Sequence, residues 1–258
     1  MSIDSTLIVH HNRKSYVSEA YRSLRTNVMF SSNFKMPAVI AVTSTGPSEG
    51  KTLTTANLAL AFSQTKHKTI VIDCDMRKPS IHNLFGISRL NGISTLLERK
   101  CELNDAIQNI EEIGIDVIAS GSVSEDPTEL LSTKDFKGIV DELKTRYDVI
   151  IIDTPPVGIL TDASLISTVA DGVVFVIKEG AVRGRDFRRA KENLQRVGAN
   201  IIGTVFNMIG ISGDKGYGYE YRYGYRYGYG YNYYYGESSD AENGKKSKGK
   251  KKKVGNGV

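Results

Sequence analysis

The stretch from Ala38 to Thr52 constrains the fold of this chain more than any other. Five apolar residues, AVIAV, are followed by the loop TSTGPSEGKT and then by a helical pattern, LTTANLALAFSQ. A strand, a glycine-containing loop that ends in Gly-Lys-Thr and a helix together make the sequence form of a phosphate-binding P-loop. Such a loop aims several backbone N–H groups and a helix N-terminus at one polyphosphate. The pattern therefore predicts a nucleotide site where the helix begins.

The loop departs from the common pattern G-x-x-x-x-G-K-[ST] at one position. Where that pattern has its first glycine, this chain has Thr45, and its own glycine follows at Gly46. A Gly-Lys-Thr tripeptide alone is a weak signal, because such tripeptides arise by chance. The prediction therefore depends on what the rest of the chain places beside this loop.

Six short apolar segments, separated by helix-like segments, run through the middle of the chain. Most of them are continuous rather than alternating, which is typical of parallel strands that are buried on both faces. They are Val39–Val42, Thr69–Ile72, Ile115–Ile118, Val149–Ile152, Val173–Ile177 and Ile201–Phe206. Helices are predicted at Thr52–Gln64, Ser94–Leu97, Glu129–Tyr147 and Arg183–Val197. The pattern predicts an α/β fold with a doubly wound, mainly parallel sheet of the P-loop NTPase type.

Polar side chains follow three of these predicted strands. Asp73 and Asp75 come after TIVI, and Asp153 comes after VIII. Because ligand sites gather at the carboxyl ends of parallel strands, we expect these carboxylates beside the P-loop, where they would hold Mg²⁺. Two such strands in a chain with a P-loop favour this function over simple loop-start residues. Asn207 follows the last strand, and either binding of an adenine edge or turn formation fits an asparagine there.

Residues 1–36 are predicted to form an N-terminal arm, with a helix over Ser15–Phe30. Glu19, Arg22 and Arg25 are spaced three residues apart, beside the apolar stripe of that helix. They fit a solvated helix edge with a weak ion pair. They equally fit a contact with another subunit, since arginine pairs well with carboxylates across an interface.

After Gly210 the composition changes, and residues 211–258 are predicted to be a disordered C-terminal tail. Glycine is frequent there and no apolar face could bury a core. Within it, residues 217–235 contain eleven tyrosines: Tyr217, Tyr219, Tyr221, Tyr223, Tyr225, Tyr227, Tyr229, Tyr231, Tyr233, Tyr234 and Tyr235. Composition leaves three interpretations open: a sticky aromatic segment, an RNA-contacting tail or a substrate.

Charge and cysteine content restrict the classes of function. Residues 1–210 carry 24 basic and 24 acidic side chains, so the excess of +5 lies in the tail, and no general nucleic-acid-binding surface is indicated. The two cysteines, Cys74 and Cys101, make neither a disulfide framework nor a metal-ligand spacing. No signal peptide or membrane span is evident, so we expect a cytoplasmic protein that reaches a membrane only through a partner or its tail.

Several segments together resemble the bacterial tyrosine kinases. The segments are TSTGPSEGKT, VIDCDMRKP and VIIIDTPP, which that family calls Walker A, A′ and B, with EAYRSLRTN upstream and a terminal tyrosine cluster. More narrowly, the chain resembles the separate cytoplasmic kinase subunit of Gram-positive capsular or exopolysaccharide systems, over roughly residues 8–210. Related partition and cell-division-site ATPases share this fold, and they often carry a lysine where this chain has Gly46. The absence of that lysine favours the kinase interpretation. A partition-type ATPase switch without tyrosine kinase activity remains the alternative.

The resemblance implies an ATP- and Mg²⁺-dependent protein-tyrosine kinase that phosphorylates its own tail tyrosines. Lys51 would neutralise phosphate charge, while Thr52, Asp75 and Asp153 would hold the metal. Asp73 would orient or deprotonate the incoming tyrosine hydroxyl, although the roles of Asp73 and Asp75 could be exchanged. The nucleotide-binding residues implied by the motif are Gly46, Pro47 (which has no N–H), Ser48, Glu49, Gly50, Lys51 and Thr52, with Asn207 as a further candidate.

The resemblance also implies partners. Glu19, Arg22 and Arg25 match the Glu-x-x-Arg-x-x-Arg motif of the family, which implies a ring-like homo-oligomer. A membrane-spanning activator of the polysaccharide system and a cognate tyrosine phosphatase are expected as well, with recruitment to the inner face of the plasma membrane. The chain then divides into an oligomerisation arm (1–36), a kinase domain (37–210) and the tail (211–258).

Overall fold

A seven-stranded sheet lies at the centre of the computed structural model, which describes residues 3–31 and 34–209. Its strands follow the order β3-β4-β2-β5-β1-β6-β7. All neighbours are parallel except β3 and β4, which are antiparallel. The strands are β1 (Ala38–Ser44), β2 (Thr69–Asp73), β3 (Gln108–Ile110), β4 (Ile115–Ile118), β5 (Val149–Asp153), β6 (Gly172–Lys178) and β7 (Ile201–Asn207). The predicted tail and its eleven tyrosines lie outside the described residues.

Helices cover both faces of this sheet. Those before β3 are α1 (Ile8–His11), α2 (Tyr16–Met29), α3 (Lys51–Ser63), α4 (Ile81–Phe85), α5 (Ile93–Leu97) and α6 (Leu103–Ala106). The later ones are α7 (Pro127–Ser132), α8 (Lys134–Lys144), α9 (Asp162–Ser167) and α10 (Gly184–Arg196). The mainly parallel, doubly wound α/β fold that the sequence predicts is confirmed, and each of the six predicted strands is present.

The prediction of one helix over Glu129–Tyr147 is wrong, because the structure has two helices there, α7 and α8. Thr133 separates them in an extended conformation, with φ −74° and ψ 154°. The hydroxyls of Ser132 and Thr133 donate to the carbonyls of Glu129 and Leu130 at 2.8 and 2.7 Å. Such local side-chain bonds compete with the helical ladder, which accounts for the break.

The helix α3 is buried between the sheet and the N-terminal arm. Ten of its residues are buried, from Lys51 to Phe62, with apolar side chains on more than one side. A helix that is apolar all round needs cover all round, and α1 and α2 supply it on the side away from the sheet. On the opposite face of the sheet, α8, α9 and α10 pack over a second core. They contribute Phe136, Ala163 and Leu194 to it.

Polar contacts fix the arm to α3. The Val9 N–H donates to Asn57 Oδ1 at 3.1 Å, and Gln64 Nε2 donates to the Val9 carbonyl at 2.9 Å. The Ser18 hydroxyl, fully buried, lies 2.6 Å from the Asn12 carbonyl. The arm is therefore packed against the helix whose first turn carries the predicted nucleotide site.

Candidate active site

The P-loop follows β1 and leads directly into α3. Gly50 caps the helix with φ 92°, and a Cβ built at this glycine would lie 1.9 Å from Asn207 Nδ2. The left-handed backbone therefore favours glycine here, and the Asn207 amide occupies the space that a Cβ would need. The strand, loop and helix that the sequence predicts are all present. The loop therefore leads into the first turn of α3, where the backbone N–H groups of a helix have no intrahelical acceptor.

Five predicted site residues lie together at the carboxyl ends of β1, β2 and β5. Lys51 Nζ donates to Asp75 Oδ2 at 2.7 Å and lies 3.5 Å from Asp153 Oδ2. Thr52 Oγ1 donates to the same Asp153 oxygen at 2.7 Å. The parallel register pairs Asp73 with Asp153, which places the last carboxylate next to this group. All of these side chains except Thr52 are buried.

The charges of this cluster perturb one another. Burial alone would lower the pKa of Lys51, but the carboxylates of Asp153 and Asp75 raise it above its ordinary value. Burial raises the pKa of Asp153, against the opposing effects of the Lys51 ammonium and the Thr52 hydroxyl. Burial and the neighbouring Asp153 raise the pKa of Asp73 well above its usual range. Three carboxylates thus share one lysine in a poorly solvated place, a situation that an added cation would relieve.

The donor set fits Mg²⁺ bound together with phosphates. Hydroxyl and carboxylate oxygens are the ligands that this ion prefers, and it usually takes one or two carboxylates and completes its shell with substrate phosphates and water. Within residues 3–31 and 34–209, no group of three or more histidine, cysteine, aspartate and glutamate side chains is arranged to hold a metal unaided. A metal shared with a nucleotide is consistent with both observations.

Asp73 and Asp75 differ in what their carboxylates contact. Asp73 accepts the backbone N–H groups of Asp75, Ser80 and Ile81 at 3.1–3.2 Å. Asp75 accepts the Lys78 N–H at 3.1 Å, and its other oxygen faces Lys51. The sequence left these two residues interchangeable, whereas the structure puts Asp75 at the lysine and Asp73 on the backbone of its own loop. The role expected of Asp73 at the tyrosine hydroxyl stays a prediction.

Asn207 and Glu49 make contacts that the sequence did not predict. The Asn207 amide donates to the Glu49 carbonyl at 3.0 Å, so its N–H₂ group faces the P-loop. The Glu49 carboxylate accepts the Gly46 N–H of its own loop and the Lys178 N–H at 3.2 Å. Binding of adenine by Asn207 and binding of phosphate by the loop residues from Gly46 to Thr52 both stay predictions.

A second cluster beside the site was missed from the sequence. Arg77 Nε lies 3.0 Å from Asp162 Oδ2, and its guanidinium also donates to Thr128 Oγ1 at 3.0 Å. Thr128 in turn donates to Asp162 at 2.6 Å. These bonds connect the loop of Asp75 to α7 and α9. The signal was the arginine two residues after Asp75, but nothing in the sequence identified its partners.

The residues predicted for self-association lie on α2, away from the carboxylate cluster. Glu19 and Arg22 form an ion pair of 2.7 Å within that helix, and Arg22 also donates to the Arg13 carbonyl. Arg25 donates to the Ala61 carbonyl at 2.8 Å, and burial lowers the pKa of its guanidinium. Their part in an interface between subunits stays a prediction. No helix in the described part of the chain is long and apolar enough to span a bilayer.

Comparison with known proteins identifies the relatives of this chain. Residues 37–196 match a family model described as an AAA domain. Tyrosine-protein kinase YwqD of Bacillus subtilis is 38% identical over 205 residues, which cover 80% of this chain and 86% of that protein. Tyrosine-protein kinase CpsD of Streptococcus pneumoniae is 35% identical, over 81% of this chain and 93% of that protein. The crystal structure of the chimerical protein CapA2B2 superposes with a TM-score of 0.75 at 36% identity, covering 80% of this chain and 91% of that one.

Proposed function

The chain belongs to the bacterial tyrosine kinases, and we propose that its P-loop site passes the γ-phosphoryl group of ATP to tyrosines of its own C-terminal segment. That it is a protein-tyrosine kinase follows from the family. The observation that supports this use of the site is the buried group of Lys51, Asp75 and Asp153 around the start of α3. The partition-type ATPase switch is not favoured.

Each residue has a role in this proposal. Lys51 binds the β- and γ-phosphate oxygens, because its ammonium can exchange its carboxylate partners for those of the nucleotide. Thr52, Asp75 and Asp153 supply the oxygen ligands for Mg²⁺, which would neutralise charge on the phosphates. Backbone amides of the P-loop orient the transferred group. Asn207 remains the candidate for the adenine edge through its amide oxygen, because its Nδ2 donates to the Glu49 carbonyl.

The acceptor tyrosine needs little help from a base. Phosphoryl transfer depends mainly on in-line positioning and charge neutralisation. The resemblance implied Asp73 at the hydroxyl; we propose instead that Asp75, in addition to its part in holding the metal, faces the hydroxyl, because its carboxylate lies at Lys51 whereas Asp73 is occupied by backbone N–H groups. Asp73 would then act indirectly, because both of its oxygens accept backbone N–H groups of the loop that carries Asp75.

We further propose where this kinase acts and with which partners. The kinase would regulate the synthesis and export of a capsular or extracellular polysaccharide, at the inner face of the plasma membrane, together with a membrane-spanning activator. Residues 1–36 would carry the ring contact, residues 37–210 the kinase and residues 211–258 the acceptor tyrosines. Exposed aromatic rings of Tyr16 and Phe30, 80% and 85% exposed at the two ends of α2, support a subunit contact there. A cognate tyrosine phosphatase would reverse the modification, and no nucleic acid is involved.

The test is incubation with γ-labelled ATP and Mg²⁺, with and without the cytoplasmic segment of the activator. We expect label on tail tyrosines of the wild type and none with Lys51→Met or with a chain that ends at residue 210. Free phosphate in place of labelled protein would instead support the ATPase switch. Salt-sensitive retention of RNA by the tail would support the RNA-binding interpretation.

A further inference from the structure

Glu49 is a buried acid in the P-loop that the proposed mechanism does not use. Its residue surface is 3% exposed, and no lysine, arginine or histidine forms an ion pair with it in the part of the chain that the structure describes. Its two oxygens instead accept backbone N–H groups, one from Gly46 and one from Lys178 at 3.2 Å. A buried carboxylate without a cation is costly, so its retention requires a reason.

A second contact joins the P-loop to the end of β7. Asn207 Nδ2 donates to the Glu49 carbonyl at 3.0 Å and occupies the space that a Cβ on Gly50 would need. Lys178 ends β6, Asn207 ends β7, and these two residues are register partners in the sheet. The side chain and the carbonyl of Glu49 therefore connect the P-loop to the ends of two neighbouring strands.

These contacts bear on the missing first glycine. The common pattern has glycine where this chain has Thr45, so the turn that leads into the loop must be held in another way. The Gly46 N–H is bonded to Glu49, and the Gly46 carbonyl accepts the Ser44 hydroxyl at 2.7 Å. Both polar groups of the displaced glycine thus have partners within residues 44–49.

We propose that Glu49 and Asn207 are positioning residues that clamp the P-loop to the ends of β6 and β7. The clamp holds the amides of Gly50, Lys51 and Thr52 in a phosphate-binding arrangement. On this view the Gly46 N–H is committed to Glu49, so phosphate is bound by the later amides of the loop. The inference rests on the proposed use of this loop for Mg²⁺·ATP.

The first test needs no nucleotide, and therefore does not depend on the proposed function. Hydrogen exchange is followed at the backbone amides of Gly46 and Lys178 in the wild type and in Glu49→Ala, Glu49→Gln and Glu111→Gln. Glu111 is an exposed acid between β3 and β4, so its variant is the matched control. We expect both amides to exchange at least about tenfold faster in Glu49→Ala, with exchange in β5 unchanged. Unchanged exchange at both amides would overturn the clamp.

The second test measures the consequence for the nucleotide. We expect the Kd for a fluorescent ATP analogue with Mg²⁺ to rise about 10–100-fold in Glu49→Ala. Asn207→Ala should raise it at least as much, because it also removes the proposed adenine contact. Glu49→Gln keeps one carbonyl oxygen as acceptor, so its Kd is expected to lie between those of the wild type and Glu49→Ala. The double variant should lose less than the product of the single effects, because both residues hold one loop. Equal Kd values for the wild type and Glu49→Ala would contradict the proposal.

A general loss of stability would have a different signature. The melting temperatures of Glu49→Gln and Glu111→Gln are compared, and KM for ATP and kcat are measured separately for each. A positioning role predicts a raised KM with a smaller change in kcat for Glu49→Gln at a temperature where both variants are folded. If the wild type binds nucleotide but labels no tyrosine, the proposed function fails while the clamp stands.

Discussion

The two ends of α3 use polar groups in opposite ways. At its start, the buried ammonium of Lys51 faces more carboxylate charge than its single positive charge can neutralise. At its end, Ala61 and Gln64 make single bonds to the arm, each pairing one donor with one acceptor. Paired bonds of the second kind stabilise a fold, whereas converging charges work against stability and are kept where chemistry needs them. The two ends should therefore respond differently to mutation.

Lys51→Met should separate the two ends most strongly. It removes the cation that we propose binds the phosphates, and we expect tyrosine phosphorylation to fall by about 10²–10³-fold or more. The fold should persist, because the buried carboxylates of Asp73 and Asp153, whose pKa values are already raised by burial, can take up a proton. Initial phosphorylation rates and thermal unfolding are the measurements.

Gln64→Met is the matched control, since it makes the same side chain at the other end of α3. It should lower the free energy of unfolding by about 1 kcal/mol through loss of the bond to the Val9 carbonyl. Phosphorylation per folded molecule should stay near the wild-type value. Loss of activity in Gln64→Met equal to that in Lys51→Met would remove the distinction between the ends.

Asp75→Asn and Asp73→Asn test the same distinction within one loop. We expect Asp75→Asn to reduce phosphorylation about 10²-fold, because it changes a carboxylate that faces Lys51. Asp73→Asn should instead lower the free energy of unfolding by about 1–2 kcal/mol, since a side-chain N–H₂ would oppose backbone donors. Relief of repulsion from Asp153 offsets part of that cost. Denaturant unfolding and initial rates are measured on both variants. A larger loss of activity in Asp73→Asn, together with a larger loss of stability in Asp75→Asn, would contradict this prediction.

Asn57→Ala should affect the arm alone. The buried N–H of Val9 loses its acceptor, and the free energy of unfolding is expected to fall by about 1–3 kcal/mol. The Kd for Mg²⁺·ATP should change less than about twofold, because the hydrogen bonds of Asn57 go to Val9, Thr6 and Leu53 rather than to the carboxylate cluster. Calorimetric unfolding and nucleotide titration would check both halves, and a large change in Kd would show that the arm and the site are coupled.

The smallest effect is expected at Tyr147, which follows α8 and bonds to a residue of β4. Its hydroxyl donates to Asp116 at 2.7 Å, and burial, followed by this bond, raises the pKa of the phenol. Because the folded protein holds this proton more tightly than the unfolded chain, the stabilisation is complete below pH about 10 and decreases above it. The stability advantage of the wild type over Tyr147→Phe, about 1 kcal/mol at pH 8, should therefore shrink by pH 11. An advantage that is constant with pH would contradict this.

The sequence predicted those features that depend on local patterns. The continuous apolar segments located six strands, and Gly-Lys-Thr with strand-terminal aspartates located the cluster of Lys51, Asp75 and Asp153. The edge strand β3 was missed because it has three partly exposed residues, two of them polar. The break at Thr133 was missed because hydroxyl bonds to the backbone leave the apolar periodicity unchanged.

Contacts between distant parts of the chain were beyond the sequence. Glu49 and Lys178 are 129 residues apart, and they meet only because β6 lies next to β1 in the sheet. Asn207 reaches the P-loop for the same kind of reason, since β7 lies beside β6. Asp162 and Arg77 are separated by 85 residues, and neither has a local pattern that identifies its partner. Sheet order decides these contacts, and a single sequence does not reveal that order.

We propose above all that this site transfers the γ-phosphoryl group of ATP to tyrosine rather than to water. The most direct test is the ratio of phosphotyrosine formed to ATP consumed during the first turnovers, with Mg²⁺ and the activator segment present. The account predicts a ratio near one for the wild type, with the phosphate on tyrosines of residues 217–235, and no turnover for Lys51→Met. A ratio near zero, with ATP converted to free phosphate at the wild-type site, would contradict it.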